Sequence, residues 1–232
     1  MPRRNGWDVT RWYAGWQCAL WAASAGFAAW LMWDDLSATQ RELVRKMVET
    51  EANRFNSDTV PYYRDRKGEF RYPGNSKGEE NAWNAMVLQV ATAMMPHHPA
   101  YRTWMNKCIE LELSAAARPV DVTSATVING RRLSSWLNGS NVCVDGTVVN
   151  HNRVHPVYTK TVAVWNAHAA LTYSLAGKPT PQAARRRPER AQREGSGTAG
   201  DRDQRRLRPD SRAATSCGSV GRASSPRRGG SR

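Results

Sequence analysis

From Trp12 to Trp33 the chain reads WYAGWQCALWAASAGFAAWLMW, 22 consecutive residues without a formal charge. A stretch this apolar has to leave water, so it forms a helix buried among other helices, a membrane span, or a cleaved leader. Its length suits a span, and Trp12, Trp16, Trp30 and Trp33 would serve as interfacial anchors behind the cations Arg3, Arg4 and Arg11. Its composition points elsewhere: Ala, Trp, Gly, Ser and Gln dominate, with two leucines and no Ile or Val. Small residues permit close helix packing and tryptophans supply large buried surfaces, so an internal helix is expected and no stable membrane span. The Ala23 to Ala25 tripeptide ASA suits leader cleavage, but Asp8, Trp12 and Gln17 interrupt the pattern and no clean leucine-rich core precedes it.

Charge divides the 232 residues unevenly. From Arg185 onward fourteen arginines stand against five acids and no lysine, placing +9 of the total +14 in the tail and +5 in residues 1–184. The tail holds Arg, Gly, Ser, Pro and Ala without an aromatic residue, so it cannot offset its ordering entropy by burial. The expected organisation is a helical domain over residues 1–183 and a disordered tail over 184–232, whose arginine-only charge also fits a shifted reading frame. Because the basic excess sits there without interleaved aromatics, no specific nucleic-acid partner is expected. The cysteines Cys18, Cys108, Cys143 and Cys217 form no C-x-x-C pair, and Cys18 and Cys108 fall in apolar helical stretches as small buried hydrophobes.

Helical patterning fills most of the remainder, and the expected class is all-α with one small β-hairpin. Ser37 and Gln40 have capping-box spacing ahead of Leu43, Val44, Met47, Val48 and Phe55. Ser76 and Glu79 repeat that spacing before Trp83, Val87, Val90 and Met94, and Pro96 ends the helix. A third helix is expected from Pro99, at its first position, to Arg118, with Trp104, Cys108, Leu111 and Ala115 inward and His97 and His98 in the turn before it. Asp145-Gly146 between Val142–Val144 and Thr147–Val149 predicts a two-residue hairpin. Pro156 then starts a helix carrying Tyr158, Val162, Trp165 and Ala169 on one side, with Gly177 and Pro179 as its exit. His168 reads as a helical histidine satisfied locally.

The chemistry concentrates in NHNRVHPVY, from Asn150 to Tyr158. His151 and His155 have i,i+4 spacing, but Pro156 puts the helix start after them; with no HExxH motif, no metal or other cofactor is implied. A proton-transfer site uses the same stretch differently. Asn150 can donate to a substrate carboxylate, His151 can move or orient a proton, and Tyr158 offers a phenol; alternatively these groups anchor the loop by hydrogen bonds. Glu80 and Asn84, one helical turn apart, can line a cleft or serve the helix start. A glycosidase would need two separated carboxylates, for which adjacent Glu79 and Glu80 are unsuited and Asp145 with Glu80 is the remaining pairing. A carbohydrate-binding domain would need an exposed aromatic platform, from Tyr62, Tyr63 or Trp136.

The segments GEENAWNAMVLQVATAMMPHHP and NGSNVCVDGTVVNHNRVHPVY resemble the helical catalytic domain of heparinase II/III-like polysaccharide lyases over residues 10–183, most specifically in DGTVVNH, HPVY and GEENAWN. The resemblance implies an incomplete α/α toroid of helical hairpins, acting on a uronate-containing or other acidic polysaccharide outside the cytoplasm. It makes Asn150 the carboxylate-neutralising group, His151 a base or proton carrier, and Tyr158 the general acid or dual acid-base. Glu80, Asn84, His155 and Arg131 become substrate-binding candidates. With about five long helices, this chain has roughly half of such a toroid and no β-rich domain, so an inactive fragment or a non-enzymatic carbohydrate-binding domain is the alternative.

Overall fold

The computed structural model describes residues 17–185; Trp12–Trp16 and the arginine-rich tail, with the disorder expected of it, lie outside the described residues. Helix α1 spans Cys18–Leu31, α2 Ala38–Arg54, α3 Gly78–Met94 and α4 Tyr101–Ala115. A single turn α5 covers Leu133–Trp136, α6 runs Pro156–Leu175, and α7 at Gln182–Arg185 extends just past the expected domain limit. Three antiparallel two-residue pairs join them: β1 (Arg64–Asp65) with β4 (Gly139–Ser140), β2 (Val127–Ile128) with β3 (Arg131–Arg132), and β5 (Val149–Asn150) with β6 (Arg153–Val154). The described chain is thus mostly helical with small β-hairpins.

Helix α3 is the axis of the packing. Fourteen of its seventeen residues are buried, and α1, α2, α4 and α6 all pack against it. A helix apolar on one stripe needs one neighbour; one enclosed on every side must be apolar or internally satisfied all round. Trp83, Met86, Val87, Leu88 and Val90 meet the first condition, and Gln89, Thr92 and Asn81 meet the second through hydrogen bonds to Glu112, Tyr173 and Ser114.

Helix α1 is internal on one face, where Cys18, Ala19, Ala22, Ala23 and Gly26 are buried, and no described helix is long and apolar enough to cross a membrane. Its burial comes from small residues and not from tryptophans: Trp21 is exposed, with Leu31 and Met32. A Cβ at Gly26 would lie 2.6 Å from a methyl of Val48, so glycine permits the close approach of α1 to α2. The Ser37–Gln40 capping box forms as expected. Helix α4 meets α2 through Trp104, whose indole donates to Asn53 Oδ1 at 3.0 Å while His98 stacks on its ring.

Three local expectations are corrected. No capping box starts α3: the Ser76 hydroxyl accepts the Gly78 N–H at 3.0 Å but donates to the Asn141 carbonyl at 2.6 Å, and Glu79 does not reach back. Helix α4 begins at Tyr101 and not at Pro99, because residues 95–101 form tight turns in which His98 Nδ1 accepts the Ala100 N–H; it ends at Ala115, ahead of a 3₁₀ turn at Pro119–Thr123. The Asp145-Gly146 turn exists, closed by Cys143 N–H to the Thr147 carbonyl, but no strand pair flanks it. The Asn141 and Val142 N–H groups are instead taken by the Ala117 carbonyl at the end of α4. The two-residue hairpin forms one turn later, at His151-Asn152.

Asn141 is wholly buried. Its Oδ1 accepts the N–H groups of Tyr63 (2.8 Å) and Lys77 (3.2 Å), and its Nδ2 donates to the carbonyls of Ser114 (2.9 Å) and Pro61 (3.4 Å). Asn141→Ala leaves the Tyr63 and Lys77 N–H groups without their acceptor, each costing about 1–3 kcal/mol, and removes one of two donors from the Ser114 and Pro61 carbonyls. Urea denaturation should therefore show a loss on the order of 3 kcal/mol or more, and a loss below about 1 kcal/mol would contradict this role.

Glu112 of α4 is also fully enclosed, with Oε1 accepting from Gln89 Nε2 at 3.0 Å and from the Cys108 thiol at 3.5 Å. Burial pushes its carboxyl up to about 7, partly offset by those two bonds. A carboxyl that holds its proton more tightly when folded stabilises fully below its unfolded pKa and loses that contribution as pH rises through the folded value. Wild-type stability relative to Glu112→Gln should therefore fall from about pH 4.5 to about pH 7 and then level off. Parallel denaturation curves of the two proteins across that range would refute it.

Candidate functional site

Pro156 occupies the first turn of α6, where a missing N–H costs nothing, and His155 caps it in extended conformation. The His155 N–H donates to the Val148 carbonyl at 2.9 Å, and the His155 carbonyl accepts the Thr159 N–H and hydroxyl at 3.0 and 3.1 Å. Thr159 Oγ1 also accepts the Val148 N–H at 3.0 Å, so main-chain bonds fasten the strand to the helix start.

The hairpin β5–β6 presents His151. Both residues of its turn have positive φ, 52° for His151 and 59° for Asn152, the conformation a two-residue hairpin requires. Asparagine and histidine are both enriched in this region among residues other than glycine, though each carries a Cβ penalty that glycine does not. The facing loop holds the turn down. Asn152 N–H donates to the Gly74 carbonyl at 2.9 Å, and Ser76 N–H to the Val149 carbonyl at 2.8 Å. Gly74 has φ +72°, and a Cβ there would run into the Asn152 side chain, so this contact requires glycine.

The result is a cluster of four of the expected residues. Asn150 is buried, and its Oδ1 accepts the His151 N–H at 2.9 Å. His151 Nε2 lies 3.4 Å from the Tyr158 hydroxyl, a long hydrogen bond between an exposed ring and a half-buried one. The His155 ring packs 4.3 Å from the Tyr158 ring, with its Nδ1 buried and unpartnered. His151 and His155 do not share a helix, and among the described residues no group of three or more His, Cys, Asp or Glu could hold a metal.

The other candidates are placed elsewhere. Glu80 and Asn84 line one cavity of about 330 Å³ together with Lys77, whose ammonium pairs with Glu80 at 2.9 Å. Arg131 lines a separate hollow of about 240 Å³, its guanidinium 4.0 Å over the Trp136 ring and bonded to the Ser135 carbonyl. Tyr62, Tyr63 and Trp136 are buried, which rules them out as an exposed platform. Burial, reinforced by Glu80, pushes the Glu79 carboxyl up to about 7. The Asp145 carboxylate is occupied by the Thr147 N–H and hydroxyl, the bonds of its own turn. His168 is satisfied locally by Thr172 at 3.2 Å, and burial lowers its pKa.

Sequence reasoning missed the Gly74–Asn152 contact and the exposure of Tyr72 on the same loop. A signal for the first was present: Val149 and Val154 flank a polar four-residue stretch centred on His-Asn. The stronger Asp-Gly signal upstream obscured it. Comparison of the chain with protein-family models, with curated proteins and with solved structures finds no match.

Glycine enters the left-handed position of His151 without the Cβ penalty that histidine carries. His151→Gly should leave stability unchanged or raise it by up to about 1 kcal/mol, since glycine removes the Cβ penalty while losing more chain entropy. Thermal and urea unfolding check this. A loss above about 1 kcal/mol would mean that the imidazole supports the fold.

Proposed function

We propose that this helical domain is an incomplete α/α toroid of polysaccharide-lyase type, eliminating glycosidic bonds next to uronic acids. The observation that carries the reading is the approach of His151 Nε2 to the Tyr158 hydroxyl at 3.4 Å beside buried Asn150. The resemblance of DGTVVNH and HPVY to the heparinase II/III-like lyases supports it from the sequence side.

The reaction removes the proton next to the carboxylate, forms a double bond and breaks the bond to the leaving glycosidic oxygen, which must take up a proton. The difficulty lies in the charge that develops on the carboxylate as the carbon loses its proton. Pre-positioned donors stabilise such charge more effectively than a base alone. With its Oδ1 engaged by the His151 N–H, Asn150 retains its amide NH₂ group as that donor. His151 takes or relays the proton, and Tyr158 passes a proton to the leaving oxygen. His155, packed on the Tyr158 ring, fixes the orientation of the phenol. The long His151–Tyr158 bond suits an unliganded site, since catalytic hydrogen bonds tighten when substrate arrives.

The test is to incubate the full chain and its variants with uronate polymers while following the ultraviolet absorbance of unsaturated products, with circular dichroism confirming the fold. Tyr158→Phe and Asn150→Ala should each lower elimination by on the order of 10²–10³-fold. Elimination undiminished by Tyr158→Phe overturns the assigned role, and absence of product from every polymer favours the non-enzymatic alternative.

A further inference from the structure

Tyr72 stands between two cavities. One, of about 330 Å³, is lined by Lys77, Glu80 and Asn84; the other, of about 320 Å³, by Asp65, Arg71 and Asn138. Both are lined by Tyr72 and by the segment Thr59–Pro61, so they adjoin along a common wall. Each alone falls at the lower end of the range for ligand sites, about 300–1,000 Å³. We propose that the two cavities form one trough that binds an oligosaccharide, with the Tyr72 ring as the surface on which a sugar stacks.

Three observations on the trough support this. The Tyr72 ring is 42% exposed although large aromatic side chains favour burial, and the Lys77 ammonium lies 4.5 Å from its centroid, bracing it. Asn84 is only 8% exposed, yet its Oδ1 has no hydrogen-bond partner in the cavity wall it helps to form. A buried acceptor left unpaired is costly, and a ligand hydroxyl would satisfy it. The charge of the lining is nearly balanced. The cations are Arg54, Arg71, Lys77 and Lys107, while Asp58, Asp65 and Glu80 carry the opposite sign.

That balance selects the ligand class. Paired ammonium, guanidinium and carboxylate groups offer donors and acceptors side by side, which suits hydroxyl-rich rings. An excess of one positive charge tolerates scattered carboxylates but not the dense charge of a polyphosphate or a highly sulfated chain. The inference rests on the lyase reading for the choice of a uronate oligomer and extends it: one loop serves both places. Tyr72 and Lys77 line the trough, while Gly74 and Ser76 between them bond to the hairpin carrying His151. A chain lying in the trough is thus held against the same loop that positions the reacting cluster, the arrangement by which remote binding contributes to chemistry on long substrates.

The experiment is calorimetric titration of the full chain, in a Tyr158→Phe background expected to slow elimination, with uronate di- and tetrasaccharides and with inorganic polyphosphate. The tetrasaccharide should bind more tightly than the disaccharide. Tyr72→Ala should weaken it by roughly five- to tenfold, while Tyr72→Phe retains the ring and the affinity. Equal affinity in Tyr72→Ala, no binding of the tetrasaccharide, or tighter binding of polyphosphate would each overturn the trough. Its fate is separable from that of the lyase reading. Tyr72-dependent binding without unsaturated product from the wild-type chain keeps the trough and removes the lyase; product formation with Tyr72-independent binding does the reverse.

Discussion

One buried amide holds the two halves of this structure together. Asn141 satisfies main-chain groups from three places at once: the 61–63 segment, the residue before α3, and the end of α4. Its own carbonyl accepts the Ser76 hydroxyl, and its N–H donates to Ala117. Helix ends and irregular segments carry main-chain groups that no ladder satisfies, and burying them is possible only with such a partner. An amide offers two N–H donors and a carbonyl with two acceptor sites, so one small uncharged side chain serves two groups of each kind. Asn81 repeats the solution nearby, donating to Pro61 O and Ser114 Oγ. The loop between residues 61 and 77 has only the short β1–β4 pairing of its own, and these amides supply the further hydrogen bonds that fix it.

That loop then joins the cavity beside Tyr72 to the hairpin that carries His151. It leaves the Asn141 region at Tyr63, folds back through Tyr72 and Gly74, and returns at Lys77 to begin α3. Its two sides contact different features: the trough through Tyr72, and the His151 hairpin through Gly74 and Ser76. Since α3 is enclosed by four helices, its N-terminus is a rigid base for this loop. Rigidity of the support is what lets a loop carry groups that must be placed to within a fraction of an ångström.

The sequence made the helices legible because their signals are local. The Ser37 box, the Pro156 start, the Gly177 exit and the inward stripe of Trp104, Cys108 and Leu111 all act within a few residues, and all appear in the structure. Expectations that failed share a different origin. Ser76 does not join a capping box because its hydroxyl donates to Asn141, 65 residues away, and residues 142–144 do not pair with 147–149 because the N–H groups at their start go to the end of α4. In both, a distant partner took a group that the local pattern had assigned. The site shows the same division. Asn150, His151, His155 and Tyr158 were legible as a cluster because a short turn and one helical turn suffice to bring them together. The Gly74–Asn152 contact and the trough wall depend on segments far apart in the chain, where spacing carries no signal.

The arrangement around His151 separates the bonds that hold the hairpin from the rings that it presents. The attachments of the hairpin are mostly main-chain bonds: Asn152 to Gly74, Ser76 to Val149, and His155 to Val148. None needs an imidazole or a phenol. The rings of His151 and Tyr158 stand on this frame with one long bond between them and solvent on one side. For folding alone, a turn with two left-handed residues would favour glycine or asparagine at both positions, and the chain uses asparagine at only one. His151 therefore stands at a position where glycine or asparagine is locally favoured, one hydrogen bond from the Tyr158 hydroxyl. The frame tolerates the strain because the Gly74 contact and the α6 start constrain the turn from both sides.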